Sequence, residues 1–489
     1  MDADPRDVLI EQLRAENARL VVENAELRET IRRLERRLEE LERQAHRSAA
    51  PFRRDERKKK PPDQHGRPGR KPGHPPAYRV RPDHIDEEID VPLTACPRCG
   101  GAVLGVDACE QFIEDLPPIR PRVTHLVTYA GLCPRCGPVR STHPIQVSTA
   151  SGAAGTHLGS RALALGAQLN KQFGITTRNC VRILKALGGL PLTSDVKGLH
   201  ITPGGLTQAM HRMARKARNG YDDLVVTLRR QPSVHADETS WWVGGPGHWL
   251  WGFTCPACTV YHVDTSRGRA LDTEDRASLG DRCAIRAARR HPLSQGRDVV
   301  LDMLGDDFGG VLVSDCLASY ENLPYTMQKC YVHHLRAIAE SRERAPPESH
   351  ADFDQLAALL KAAVLLKKLR PQLPAAEYAR RRAGLDATAE RLLAAPTGPA
   401  AKVALRLRKR RRWLFTFLDH EGVPADNNAA ERALRPAVIA RKLSCGNKTP
   451  RGKDTWQILA SLTATCRQTA RDFVEALRPH LVLASANTR

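Results

Sequence analysis

Aromatic residues are scarce in this 489-residue chain, at 5%, and methionine occurs only five times. No apolar run approaches the roughly 18 residues a membrane-spanning helix needs, so a soluble protein without a membrane partner is expected. The N-terminus, MDADPRDVLIEQLRAEN, is acidic and amphipathic rather than basic and then apolar, which argues against a secretory signal. The 13 cysteines are odd in number and several stand in Cys-x-x-Cys pairs, a usage of reduced thiols and metal ligands rather than of a disulfide framework. Acids are also short: 55 Asp+Glu face 76 Lys+Arg, a formal charge of +21 that points to a polyanionic partner, nucleic acid first. A chain of this length divides into about three domains.

What is present begins with a heptad. Ile10, Leu13, Asn17, Leu20, Asn24, Leu27, Ile31, Leu34, Leu38 and Leu41 recur in steps of 3 and 4, with Ile, Asn or Leu at a and Leu at every d. This pattern predicts a leucine-zipper-like coiled coil over 1–45 and a homodimer or higher assembly. Two Asn at a positions lower stability but set register. Residues 1–50 carry 10 Arg and 12 Asp+Glu, so the segment dimerises and does not itself grip DNA.

Composition then shifts. Residues 51–82 hold eight Pro, three Gly, 11 Lys+Arg and three acids, too little apolar surface to fold alone, and 46–82 is expected to be a basic linker. Arg67, Arg70 and Lys71 sit there on a Pro-stiffened stretch suited to a narrow minor groove, although a plain charged linker has the same composition. Cys96-Pro-Arg-Cys99 and Cys133-Pro-Arg-Cys136 follow, each ending on Gly. Two such knuckles offer four thiolates to one structural Zn²⁺, and the intervening residues predict strand, turn and strand, a zinc ribbon over 83–145. Cys255 and Cys258 have no second pair beside them and are expected to be a hairpin turn.

Residues 150–230 show helical spacing interrupted at Gly174-Ile175-Thr176-Thr177, the outline of a helix-turn-helix, though any helical bundle shares it. From Ser233 the period changes to that of strands: SVHADETSWWV, HWLWGFT and TVYHVD, then Gly310–Asp315 and Lys329–His333. Three meandering strands followed by two more between helices is the ordering of an RNase H-like sheet. Asp237 lies mid-strand and Asp315 at a strand exit, places where a carboxylate needs a cation or a partner. Glu431 opens a capped helix in Asp426-Asn427-Asn428-Ala-Ala-Glu431-Arg432, with Asn427 four residues before it on the same face. Two Asp and one Glu are oxygen-only donors suited to two Mg²⁺ or Mn²⁺ ions and phosphodiester exchange, unless they are three unrelated acids. A helical insertion over 337–412 ends in a basic run that includes Arg410, Arg411 and Arg412, expected to touch phosphate unless it is a solvated face.

HADETSWW, LVSDCLASY, KCYVHHLR and PADNNAAERALRP resemble, in order, the motif blocks of the insertion-sequence-66-type transposases, a branch of the bacterial DDE transposases. The zipper, the GRPGRKPGH stretch and the CPRCG knuckles resemble that family's N-terminal modules. The resemblance implies Asp237, Asp315 and Glu431 as catalytic acids, with His333, Asn427, Asn428 and Arg432 in support. It also implies binding of terminal inverted repeats and target DNA, cleavage and strand transfer, and small accessory proteins of the same element. Action in the bacterial cytoplasm at the nucleoid would follow. The chain departs from the family pattern in an Arg-rich stretch over 266–298 and in Ser444-Cys445-Gly446-Asn447-Lys448. The expected architecture is a multidomain α+β protein in which an RNase H-like domain over 231–440 precedes a helical segment over 441–489. A non-catalytic zinc-containing DNA-binding regulator and an RNase H-like nuclease that cleaves without joining are the competing readings.

Overall fold

The computed structural model describes residues 16–17, 19–21, 23–25, 29–30, 80–115, 121–150, 157–187, 201–265, 295–321 and 323–482. Most of the heptad run, Arg67, Arg70, Lys71 and most of the 266–298 stretch lie outside these. The described heptad residues are helical, and Leu20 is exposed. The chain falls into two units, residues 1–119 and 120–489.

In the first unit, Cys96–Gly101 closes a tight turn: Cys96 N–H donates to the Gly101 carbonyl and Gly100 N–H to the Cys96 carbonyl, both at 2.8 Å. In the second unit the matching turn joins strands β1 (Ala130–Cys133) and β2 (Gly137–Arg140), an antiparallel pair with Cys133 opposite Gly137. Gly100 and Gly137 both adopt left-handed backbone, φ +74° and +75°, which a residue with a Cβ resists. The long strands expected between the knuckles are not there among the described residues. Ile113, Val123 and Tyr129 face solvent, so no core rewards their pairing, and Pro121 cannot donate to a ladder.

Helices α1 (Ser160–Lys171) and α2 (Thr177–Leu187) meet at a turn where Gly174 is left-handed, φ +67°. Helices α3 (Pro203–Lys216) and α4 (Arg218–Arg229) lead into β3 (Ser233–Trp241), β4 (His248–Thr254) and β5 (Thr259–Asp264). After α5 (Gln295–Leu304) come β6 (Val311–Ser314) and β7 (Thr326–Lys329). The five strands form one mixed sheet, ordered β5-β4-β3-β6-β7, with β3 antiparallel to β4 and parallel to β6. The last strand differs from the sequence expectation. It is the polar Thr326–Lys329, whereas Tyr331, Val332 and His333 begin helix α6 (Tyr331–Glu343). The Cys330 N–H bonds back to Ser314 and the Tyr331 N–H to Ala425, which turns the chain out of the ladder.

After α6 the chain stays helical: α7 (His350–Leu369), α8 (Ala375–Leu393), α9 (Ala401–Lys409) and the short α10 (Thr416–Asp419) share a core of Phe353, Leu360, Leu407, Phe415 and Phe417. Helix α11 (Asn428–Ser444) runs through the boundary expected at 440 and carries Pro436 inside it. Helices α12 (Pro450–Gln468) and α13 (Phe473–Leu481) then pack into the same core as α1 to α4 and the sheet, including Leu184, Leu206, Phe253, Leu459 and Leu477. The C-terminal segment is thus part of the sheet domain. Along α12, Gln457, Ser461 and Thr465 recur every four residues and accept the N–H groups of Val263, Tyr261 and Thr259 at 2.8–3.1 Å. These side chains satisfy the free edge of β5, which would otherwise be a row of unpaired donors.

Candidate functional site

Alternation along β3 puts His235 and Asp237 on one face, Ala236 and Glu238 on the other. The second face is apolar, against Trp251, Tyr320 and α5, and there Glu238 accepts the Tyr320 hydroxyl at 2.9 Å. The first face meets α11. Asp237 pairs in register with Gly252, and a Cβ on Gly252 would lie 2.8 Å from Leu434 Cδ2 and 3.1 Å from its Cγ. The missing side chain therefore lets α11 approach the sheet at the level of Asp237. Leu434 is three residues beyond Glu431, on the same helix face.

Asn427, 1% exposed, fastens the start of that helix. Its Nδ2 donates to the Ala236 carbonyl at 2.8 Å, and its Oδ1 lies 3.1 Å from His235 Nδ1. Since the Ala236 carbonyl orients the amide, the Oδ1 must accept, and His235 carries its proton on Nδ1. Burial lowers the His235 pKa, which favours the neutral ring. The Asn427 N–H points to Cys330 Sγ at 3.2 Å, tying β3, the end of β7 and α11 at one residue. Farther along, Arg441 of α11 donates to Thr239 Oγ1 at 3.0 Å and to Ser240, so the helix is held to β3 at both ends.

Asp315 follows β6, next to β3, and its Oδ1 accepts the Leu317 N–H at 2.9 Å. Asp237 Oδ1 accepts the Glu238 N–H at 2.9 Å. Burial raises the Asp237 pKa to about 7, and the charges of Glu238, Asp315 and Glu431 add to the effect. The charges of Asp315, after β6, and Glu431, on α11, thus both reach Asp237 on β3. Among the described residues, no three His, Cys, Asp or Glu side chains draw close enough to hold an ion. Asp237 and Asp315 each bond to a nearby backbone N–H, and the donor set, oxygen only, fits a hard divalent ion.

Beneath Asp315 lies a residue the sequence reading missed. Lys329 is 1% exposed, donates to Ser314 Oγ at 3.0 Å and sits 5.4 Å from the centres of the Tyr320 and Trp413 rings. Burial pulls its pKa down to about 8. His333 is half-buried in the first turn of α6, its Nδ1 enclosed without a partner. Its neighbour His334 is pushed to about 3 by burial and contacts Cys316 Sγ at 3.6 Å. Asn428 and Arg432 flank Glu431 on α11, and Arg432 is exposed.

The basic run of the insertion is corrected in part. Arg410 is buried, ion-paired with Glu321, and donates to the Cys316 carbonyl at 3.2 Å, so it braces the chain beside Asp315 and offers no free cation. Arg411 is engaged by Asp386 at 2.6 Å and Glu390 at 3.3 Å. Arg412 remains exposed, stacked 3.9 Å above Trp413. At the knuckles, backbone N–H groups of Arg98 and Cys99 lower the Cys96 pKa, and those of Arg135 and Cys136 lower that of Cys133. Thiolates prepared in this way suit Zn²⁺. Cys255 and Cys258 are buried in the β4–β5 turn, as expected.

Comparison with known proteins adds the family. The profile of the Transposase IS66 family matches residues 192–274 and 285–455, more than half of the chain and including all three acids. An uncharacterized protein, y4qI of Sinorhizobium fredii, is 23% identical over 490 residues, covering 94% of this chain and 80% of that protein. No solved structure matches. Among the described residues no helix is long and apolar enough to cross a membrane.

Proposed function

The chain belongs to the IS66 family of transposases, and from that premise we propose that it binds the terminal inverted repeats of a bacterial insertion sequence and catalyses DNA cleavage and strand transfer. The observation that carries this reading is the Asp237 carboxyl, which is held near 7 by burial and by the charges of Glu238, Asp315 and Glu431. The strand order β5-β4-β3-β6-β7, with two parallel pairs around β3 and β6, is that of an RNase H-like sheet and supports the assignment.

Asp237, Asp315 and Glu431 would hold two divalent cations, Mg²⁺ or Mn²⁺. When bound, these supply activation of the attacking oxygen and charge neutralisation at the leaving oxygen. The protein's own part is positioning. Asn427 fixes the start of α11 to β3, Gly252 sets how near α11 lies, and the Leu317 N–H orients the Asp315 carboxylate. Arg432, exposed beside Glu431, would bind a phosphate of the strand being cut, and His333 lies on α6 just after β7. The Cys96/Cys99 and Cys133/Cys136 knuckles would ligate structural Zn²⁺. The zipper pairs two chains, and the linker residues Arg67, Arg70 and Lys71 lie along DNA in the bacterial cytoplasm, at the nucleoid.

The test is Mg²⁺-dependent cleavage of a duplex carrying the element's end. Asp237→Asn, Asp315→Asn and Glu431→Gln are each expected to abolish cleavage while binding persists, and substantial activity in any one removes that acid from the site. Supplying pre-cleaved ends with a target plasmid separates the outcomes. Joined products support a transposase, whereas nicks alone support a nuclease.

A further inference from the structure

Two basic helix faces in this chain are unaccounted for by the acids, and the turn that leads into one abuts the end of the other. On α2, Arg178, Arg182 and Lys185 recur at i, i+4 and i+7, all exposed, on a helix with no acidic residue. On α11, Arg432, Arg435, Ile439 and Lys442 form an exposed face of the same spacing, and Glu431 is that helix's sole acid. None of Arg178, Arg182, Lys185, Arg435 or Lys442 is in an ion pair among the described residues. The turn between α1 and α2 brings the faces together: a Cβ on Gly174 would touch Leu443 Cδ1 at 3.7 Å, in ordinary contact. Phe173 and Leu443, 59% and 58% exposed, form an apolar patch at the junction.

We propose that these faces form one docking track for double-stranded DNA, leading from the helix-turn-helix outline at α2 to Glu431. This rests on the transposase reading and names the surface that delivers the duplex to its acids. Charge complementarity selects the occupant, because a row of unpaired Arg and Lys with no interspersed acid matches a phosphate backbone and repels a basic partner. The dimensions agree. Arg432 to Lys442 spans ten residues, about 15 Å at 1.5 Å per residue, or roughly four base pairs at 3.4 Å. Arg178 to Lys185 adds about 10 Å on α2. Helix dipoles are not required, since the side chains themselves supply the charge.

The experiment measures binding of the full chain to a fluorescent duplex of the element's end over a range of KCl concentrations. Each lost phosphate contact lowers the slope of log affinity against log salt by about 0.9. Arg178→Gln/Arg182→Gln/Lys185→Gln is therefore expected to lower it by about 2.7, and Arg435→Gln/Lys442→Gln by about 1.8. Lys361→Gln/Lys368→Gln/Arg391→Gln, exposed on α7 and α8, removes equal charge elsewhere and should leave the slope unchanged. Unchanged slopes in both track variants, a fall in only one of them, or an equal fall in the control would each overturn the proposal. Where a variant lowers the thermal midpoint, Lys in place of the same arginines must restore the slope, and failure to do so overturns it. Cleavage by the unmodified chain is read alongside. A slope that shifts in a chain that never cleaves leaves the surface standing and removes the catalytic reading; an unshifted slope in a chain that cleaves does the reverse.

Discussion

Replacing Gly252 by Ala tests whether the approach of α11 to β4 sets the catalytic spacing. The new Cβ would stand 2.8 Å from Leu434 Cδ2 and 3.1 Å from Cγ, where carbon atoms ordinarily rest about 3.5–4.0 Å apart. The overlap reaches nearly 1 Å, and overpacking of this kind costs about 1–3 kcal/mol. Two relaxations are open. If Leu434 alone turns aside, stability falls while Glu431 stays in place. Leu434 is 4% exposed and packed in the core among Trp241, Leu250, Tyr261 and Trp456, which leaves it little room to turn, so we expect α11 to lift against its anchors at Asn427 and Arg441. A displacement near 1 Å in a reacting geometry lowers rate by about 10²-fold. Single-turnover cleavage should therefore drop by one to two orders of magnitude in Gly252→Ala, with little change in duplex affinity. Gly252→Ala/Leu434→Ala, which restores the room, should recover most of the rate while remaining less stable than the parent. An unimpaired Gly252→Ala, or a double variant no faster than the single, would refute the reasoning.

Three further outcomes follow from the same geometry. The folded chain holds a proton on Asp237 up to about pH 7, whereas the unfolded chain releases it near 3.8. Stability in chelator should therefore fall as pH rises from about 4 to 7 and level off above. Asp237→Asn should remove that slope and exceed the parent's thermal midpoint at pH 8; parallel profiles would contradict the shift. Arg410→Ala removes the buried one of Glu321's two cationic partners and leaves Lys409 at 2.7 Å. A complete break of a buried pair costs about 3–5 kcal/mol, so this partial loss should lower thermal stability by less than that while the salt slope of DNA binding does not change. Arg412→Ala should do the opposite, and exchanged phenotypes would reverse the assignment of the two residues. Metal analysis should find bound zinc, reduced in Cys96→Ser and in Cys133→Ser; metal content unchanged in both would sink zinc ligation by the knuckles.

The parts of this protein that were legible in sequence are those whose cause is local. The aromatic and β-branched runs over 233–241, 248–254 and 259–264 are nearly continuous because both faces of the sheet are covered, and the structure forms strands over those ranges. Asp237 stood out because a carboxylate interrupts such a run. His235 could have been found with it, since a period of two places both on one face. The strand β7 was misplaced because its cause is not local. Gln328 and Lys329 look like surface residues, yet both are buried, Gln328 accepting the Phe417 N–H at 2.8 Å and Lys329 reaching Ser314. The aromatic Tyr331 and Val332 imitated a strand more closely than the strand itself did.

Arg410 failed the same way. Within a run of cations nothing marks the one whose partner, Glu321, lies 89 positions earlier. The contacts that align the candidate site share this property: Asn427 joins His235 across 192 positions and Ala236 across 191. A satisfied buried amide leaves no periodic trace, because its selection rests on two distant backbones meeting and not on its neighbours in sequence. Gly252 is more hidden still, since its contribution is an absent side chain. Metal-ligating chemistry can be recognised from residue types, while the distances that make it productive are set by residues whose types are unremarkable. On the proposed function the acids suggest the reaction class, and Asn427 and Gly252 would set the spacing on which it depends.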